Sequence, residues 1–268
     1  MKATTTLKRG LFLSVATLFA LCILGLGQAY AAGFKPVLSQ VSADRPITFT
    51  GYLNTQGVAF DTYTKTDGYN ITKGSDGNKG FSIVHFTMDA KGNITQRDSL
   101  IYPEKNIVHG NDATIYKSGN TKYLFFAVSG GNETAAKTTT GKRTKIGVIK
   151  LDDFNKGVAK VYGVKVKAVK GVKLARTLSK AGLSGITYVG KKSVDNKKRD
   201  VFVLKDGVAF YQSYITVAKS GAITFTIYNS ARINKPQITL QGKKYDAATQ
   251  GVTYHNGYLY LTYSGESE

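Results

Sequence analysis

Cysteine is almost absent from this chain: of 268 residues, only Cys22 carries a thiol. It sits in an apolar run near the N-terminus, so the rest has no disulfide and no cysteine-ligated metal. An exported chain without disulfides must rest on a sizeable core. Histidine is scarce too, with His85, His109 and His255 alone. Acidic residues number 17 against 37 basic ones, and closely paired acids are few. Asp152-Asp153 follows an apolar run and reads as a turn rather than a catalytic dyad. No HExxH, GxSxG or Ser-His-Asp ordering occurs, and no glycine motif that cradles nucleotides. Ser75-Asp-Gly-Asn78 lacks the spaced ligands and terminal Glu of a calcium loop. These absences argue against the familiar metal-, serine- and nucleotide-dependent enzymes, and no metal or other cofactor is expected.

Residues 1–31 read as a signal peptide. Lys2, Lys8 and Arg9 form a basic start, Leu11 to Gly27 is an apolar run, and Ala29-Tyr30-Ala31 fits the small-x-small cleavage pattern. The run is short for a membrane span, so no transmembrane segment is expected in the mature chain. Leu21 is too large for a lipoprotein signal at Cys22. Cleavage leaves residues 32–268 as one domain. The leader holds three of the 37 basic residues and none of the 17 acidic ones, so the formal charge falls from +20 to about +17. Charge of that size bears on partners rather than fold. With cysteine avoidance, it suggests a Gram-positive protein, secreted or loosely held at the cell surface. The expected partner is an anionic cell-wall polymer or surface glycan, and no specific nucleic acid. A basic surface that is merely solvated is the plainer alternative.

Four short segments repeat: Gln56-Gly-Val-Ala-Phe60, Asp112-Ala-Thr-Ile-Tyr116, Ser184-Gly-Ile-Thr-Tyr188 and Gln250-Gly-Val-Thr-Tyr254. Their aromatic residues are 56, 72 and 66 positions apart, an interval that marks a repeat architecture. After each come runs of strand character. Phe81–Met88 turns at Ala90–Asn93 into Ile94–Tyr102. Lys122–Val128, Lys145–Leu151 and Val158–Val166 follow the second repeat. Val201–Leu204, Val208–Val217 and Ile223–Ile233 follow the third, and His255-Asn-Gly257 turns into Tyr258–Tyr263. Leu174–Leu183 is a weak helical candidate. The fold expected is all-β: a small β-propeller of four (or five) four-stranded blades, preceded by the signal peptide. Gly57, Ala113, Gly185 and Gly251 would sit where backbones crowd, with Phe60, Tyr116, Tyr188 and Tyr254 wedged between blades. Strands near Lys35–Val41 and Ile47–Leu53 could complete the last unit. A generic β-sandwich also has alternating strands but gives no reason for matched first strands.

Register places Gln56, Asp112, Ser184 and Gln250 in one polar ring, with His109 and Asn111 just upstream. Such a set suits hydrogen bonding to a sugar or another polar ligand. The alternative is that these residues cap neighbouring backbone groups. The same register puts His109 and His255 roughly 20 Å or more apart along the strands, so they do not share an ion. Basic residues cluster at Lys142, Arg143 and Lys145, in the run Lys165–Arg176, and at Lys191, Lys192, Lys197, Lys198 and Arg199. The first and last clusters are expected on inter-strand loops, forming one positive rim that binds polyanions in a salt-sensitive way.

His109-Gly-Asn-Asp-Ala-Thr-Ile-Tyr116, Lys122–Val128, Lys145–Phe154 and Gln250–Tyr254 with Tyr258–Ser264 resemble the helveticin-J-like exported proteins of lactobacilli. The resemblance covers about half the mature chain and consists largely of generic propeller pattern. It implies a secreted β-propeller, with a large heat-labile bacteriocin as its sharper form, and carries no catalytic motif across. The reading that follows is a non-enzymatic binding protein of the bacterial cell envelope. The alternative is a propeller hydrolase or lyase acting on glycans through Asp112 and His109.

Overall fold

The computed structural model describes residues 17–22, 37–40, 55–73, 80–103, 110–128, 136–137, 143–156, 160–177, 182–234, 237–240 and 243–265. Strands β1 (Thr17–Cys22) and β2 (Val37–Gln40) come first. A meander of β3 (Thr55–Phe60), β4 (Asp67–Lys73), β5 (Gly80–Met88) and β6 (Ile94–Pro103) makes one antiparallel sheet. β7 (Gly110–Ser118) and β8 (Thr121–Val128) follow, then the two-residue strands β9 (Ala136–Lys137) and β10 (Arg143–Thr144), which pair only with each other. β11 (Ile146–Lys150), helix α1 (Leu151–Asn155) and β12 (Tyr162–Gly163) complete a second sheet ordered β12-β11-β8-β7. β13 (Lys165–Ala168), β14 (Gly185–Val194), β15 (Lys197–Asp206), β16 (Ala209–Val217) and β17 (Ile223–Arg232) form the third, ordered β13-β17-β16-β15-β14. Only β13 runs parallel to its neighbour there. β18 (Gln237–Leu240), β19 (Lys243–His255) and β20 (Tyr258–Gly265) build the fourth, ordered β18-β19-β20-β1-β2.

The all-β expectation holds. Among the described residues, however, the sheets are not closed and do not form the ring of blades expected from the repeats. The four repeats fall on β3, β7, β14 and β19. Consecutive members are joined by side-chain bonds from β7 to β14 and β14 to β19 and by close backbone approach of β3 to β7, and a further bond joins β7 to β19. The Lys35–Val41 expectation is met by β2, which enters the fourth sheet. Its partner there is β1, within the segment read as a signal peptide; Ile47–Leu53 lies outside the described residues. The described part of Leu174–Leu183 is not helical. The short helix is α1 instead, where Asp152 and Asp153 occupy the first turn and favour its positive dipole end.

The core follows the alternation of the strands. Sheets one and two bury Tyr69, Ile71, Ile83, Leu124, Phe126, Phe154 and their neighbours between them. Tyr116, Phe125, Tyr188, Phe202 and Phe225 form a ring cluster between sheets two and three, with centroids 5.0–5.7 Å apart in most pairs. The expected wedging of Tyr116 and Tyr188 is therefore seen, whereas Phe60 is 43% exposed. Val203 and Phe210 meet Val252, Leu259 and Leu261 across sheets three and four.

Candidate functional site

Asp112 stands where three of the repeat strands meet. Its Oδ1 accepts the N–H of Ala113 at 3.0 Å. Its Oδ2 accepts two more, from Ile186 on β14 at 3.1 Å and Val252 on β19 at 3.0 Å. One carboxylate thus supplies acceptors to backbone N–H groups of β7, β14 and β19. Two hydroxyls repeat the device nearby: Thr114 Oγ1 accepts from Tyr188 N, and Thr187 Oγ1 from Tyr254 N. Small residues make the approach possible. A Cβ on Gly57 would lie 2.6 Å from the Asp112 Cα, and one on Gly185 would lie 2.7 Å from Val252 Cγ1 and 3.3 Å from Asp112 Oδ2.

Beside Asp112 lies a fully buried lysine, Lys205, whose Nζ donates to Ser184 Oγ at 3.1 Å. Burial raises the Asp112 pKa to about 7, against the pull of the Val252, Ile186 and Ala113 N–H groups and the Lys205 charge. Burial likewise lowers Lys205 to about 8, opposed by Asp112 and Asp206. Sequence reading passed over Lys205. It closes the run Val201-Phe-Val-Leu-Lys-Asp, where a charged residue at a strand end normally reads as solvated.

A second polar cluster ties sheet two to sheet three. Asp200 accepts from Tyr188 Oη at 2.7 Å, Tyr116 Oη at 3.0 Å and Lys191 Nζ at 3.0 Å. Desolvation would raise its pKa, but the bonds from Tyr188, Lys191 and Tyr116 outweigh it and hold the carboxyl below its usual value. Both phenols are pushed upward, Tyr116 to about 12, by desolvation and by Asp200. They are donors here, not nucleophiles. Elsewhere Asp61, 2% exposed, takes Lys122 Nζ at 2.6 Å and Tyr63 N at 2.9 Å. His85 Nε2 meets Asp67 at 2.7 Å and stacks on Tyr69.

Of the expected polar ring, Asp112 and Ser184 are brought together around Lys205, and Asn111 is buried beside them in sequence. Gln56 and Gln250 lie on β3 and β19, but their side chains fall outside the description, as does His109. His255 is exposed at the end of β19 and His85 is in sheet one, so these two lie on different sheets. Among the described residues, no group of three His, Cys, Asp or Glu could hold a metal.

The basic clusters need correction. Lys191, Lys192, Lys197, Lys198 and Arg199 are not on a loop: they lie on the paired strands β14 and β15. Asp195 and Asn196, with φ of 50° and 58°, make the two-residue turn between them, the geometry of a type I′ hairpin. The cue was Asp-Asn between basic residues, masked by their charge. Nor do they share one rim with Lys145. That ammonium is half-buried, lowered by desolvation and by Arg176 while Asp206 opposes, so it faces the Asp206 end of β15. Lys197–Arg199 occupy the other end, roughly 20 Å away along the strand. Arg143 is on β10, and Lys142 lies outside the described residues.

No family model matches the chain, and no curated protein matches it. Among solved structures it is similar to the crystal structure of Mala s 1, the major allergen of Malassezia sympodialis. The identity is 14% over 78% of this chain and 77% of that one, with a TM-score of 0.39, a likeness from which nothing is carried over.

Proposed function

We propose that this is a secreted, non-enzymatic binding protein of the Gram-positive cell envelope, attracted to anionic surface polymer by its excess of basic side chains. The observation that favours binding over catalysis is the use made of Asp112. Both its oxygens are engaged by backbone N–H groups of three strands, and the residue is only 7% exposed. A general acid or base must reach a substrate proton, and this carboxyl is enclosed. That weakens the glycan hydrolase or lyase alternative, which required Asp112 with His109. The bacteriocin reading is the sharper form of the same proposal. The matched strands on β3, β7, β14 and β19 support a repeat-built arrangement of the mature chain.

Purified protein incubated with intact Gram-positive cells tests the reading, with binding and viability both scored at low and high salt. Sedimentation with cells that is reversed by salt is expected, because exposed charge pairs are screened over about 10 Å at 0.1 M salt. Absence from the cell pellet at every salt concentration refutes envelope binding. Product formation from an isolated glycan, abolished by Asp112→Ala in a folded variant, would restore the enzyme reading.

A further inference from the structure

The β14–β15 hairpin sorts its charges by face. Residues paired across the strands share a face, so Lys191 and Asp200 lie on one side with Ser193 and Lys198, and Lys192 and Arg199 on the other with Val194 and Lys197. On the first side Lys191 is neutralised by Asp200 at 3.0 Å. On the second, three cations stand together and, among the described residues, none forms an ion pair. Lys192 and Arg199 are direct cross-strand partners, which sets their Cβ atoms about 5 Å apart, an arrangement that repels. Both are held in place by rings rather than acids. The Arg199 guanidinium lies 4.0 Å over Tyr214, and Lys192 Nζ lies 5.7 Å from the centre of Tyr254 on β19. Arg199 Nε is shielded and has no hydrogen-bond partner among the described residues, so the guanidinium fork is not fully satisfied.

Ring contact orients these cations before any ligand arrives, which lowers the entropy cost of binding. A carboxylate met by one arginine fork keeps its remaining acceptor sites in that same plane. A phosphodiester is tetrahedral and can accept from an arginine and a facing lysine at once, and a repeating diester offers a second phosphate to Lys197. We propose that the Lys192–Arg199–Lys197 face of this hairpin is a phosphate-binding site, and that its ligand is a polyol-phosphate polymer of the cell wall. This rests on the envelope reading above and gives it a location and a ligand chemistry.

The test uses the full chain and two immobilised probes: a purified glycerol-phosphate wall polymer, and a carboxylate polysaccharide of matched charge density. The wild type is expected to prefer the phosphate polymer. With about three phosphate contacts, its affinity should fall about twenty-fold between about 50 and about 200 mM salt. Lys192→Glu with Lys197→Glu, both exposed positions, should weaken phosphate binding about tenfold or more. Lys165→Glu with Lys167→Glu, equal in charge change but on β13, should weaken it about twofold or less. Arg199→Lys keeps the charge and loses the fork, and should fall between. Far-UV circular dichroism of each variant guards against unfolding, and the Lys192/Lys197 pair keeps the test decisive if the Arg199 variant fails to fold. Equal loss from both double variants, or equal affinity of wild type for the two probes, overturns this site while leaving envelope binding standing. Failure of the wild type to bind cells or either probe overturns both.

Discussion

Asp112→Asn separates the two forces acting on the buried carboxyl. The amide oxygen can still accept from Ile186 and Val252, but its NH2 then faces the Ala113 N–H, donor against donor. That mismatch costs about 1–3 kcal/mol. Against it stands the cost of ionising Asp112 in the fold. Its pKa rises from 3.8 to about 7, chiefly through burial. The folded state therefore holds the proton more tightly than the unfolded chain. The sign is that of a raised acid: its contribution is full below about pH 4 and is lost as pH climbs toward 7. Three pH units at about 1.4 kcal/mol each give a loss of about 4 kcal/mol. Asparagine does not titrate, so its variant lacks this slope. The variant should be less stable than wild type near pH 4 and as stable or more stable above pH 7, so that the two curves cross. Urea unfolding from pH 4 to 7.5 measures this, followed by circular dichroism because the chain has no tryptophan. A constant difference across the range would refute the reasoning, because the three N–H bonds and Lys205 would then fully offset burial.

Three further outcomes follow from the packing. Asp112→Ala leaves the N–H groups of Ala113, Ile186 and Val252 without their acceptor, and should cost roughly 3–6 kcal/mol near pH 4 and less as pH rises toward 7, read from unfolding midpoints. Gly57→Ala drives a Cβ to within 2.6 Å of backbone and should destabilise by about 2–3 kcal/mol, whereas Gly182→Ala meets nothing within 4 Å and should change the midpoint little. Asp200→Asn weakens the hold on Tyr116, Tyr188 and Lys191, and should cost about 1–2 kcal/mol at neutral pH. Since the Asp200 carboxyl is held below 3.8, its contribution is present above that pH and lost as pH falls through its lower folded value. The gap between wild type and variant should therefore close in strong acid, which acid titration of the circular dichroism signal checks.

Local chemistry was enough to place most strands. Period-two alternation and Asn256-Gly257 gave the β19–β20 hairpin, which the structure builds with positive φ at both turn residues. The repeats picked out the four strands that approach one another, because small residues are required wherever backbones come within Cβ distance, and that requirement is written in sequence. The basic hairpin was misjudged for the opposite reason. Lysine strings look like loops by composition, yet a strand tolerates them where their stems lie along the sheet and their heads reach water.

The sequence by itself determined the all-β class, the repeat and the large positive charge, since each depends on residue type and spacing alone. Only the tertiary structure decided what Asp112 does. Whether a carboxylate faces a ligand or three backbone N–H groups depends on strands 74 and 140 residues away in the chain. The same holds for Lys205, which is buried beside Ser184 on the neighbouring chain segment, and for the cations of the β14–β15 face that form no ion pair among the described residues. Pairing in register, rather than proximity in sequence, sets which charges are neutralised.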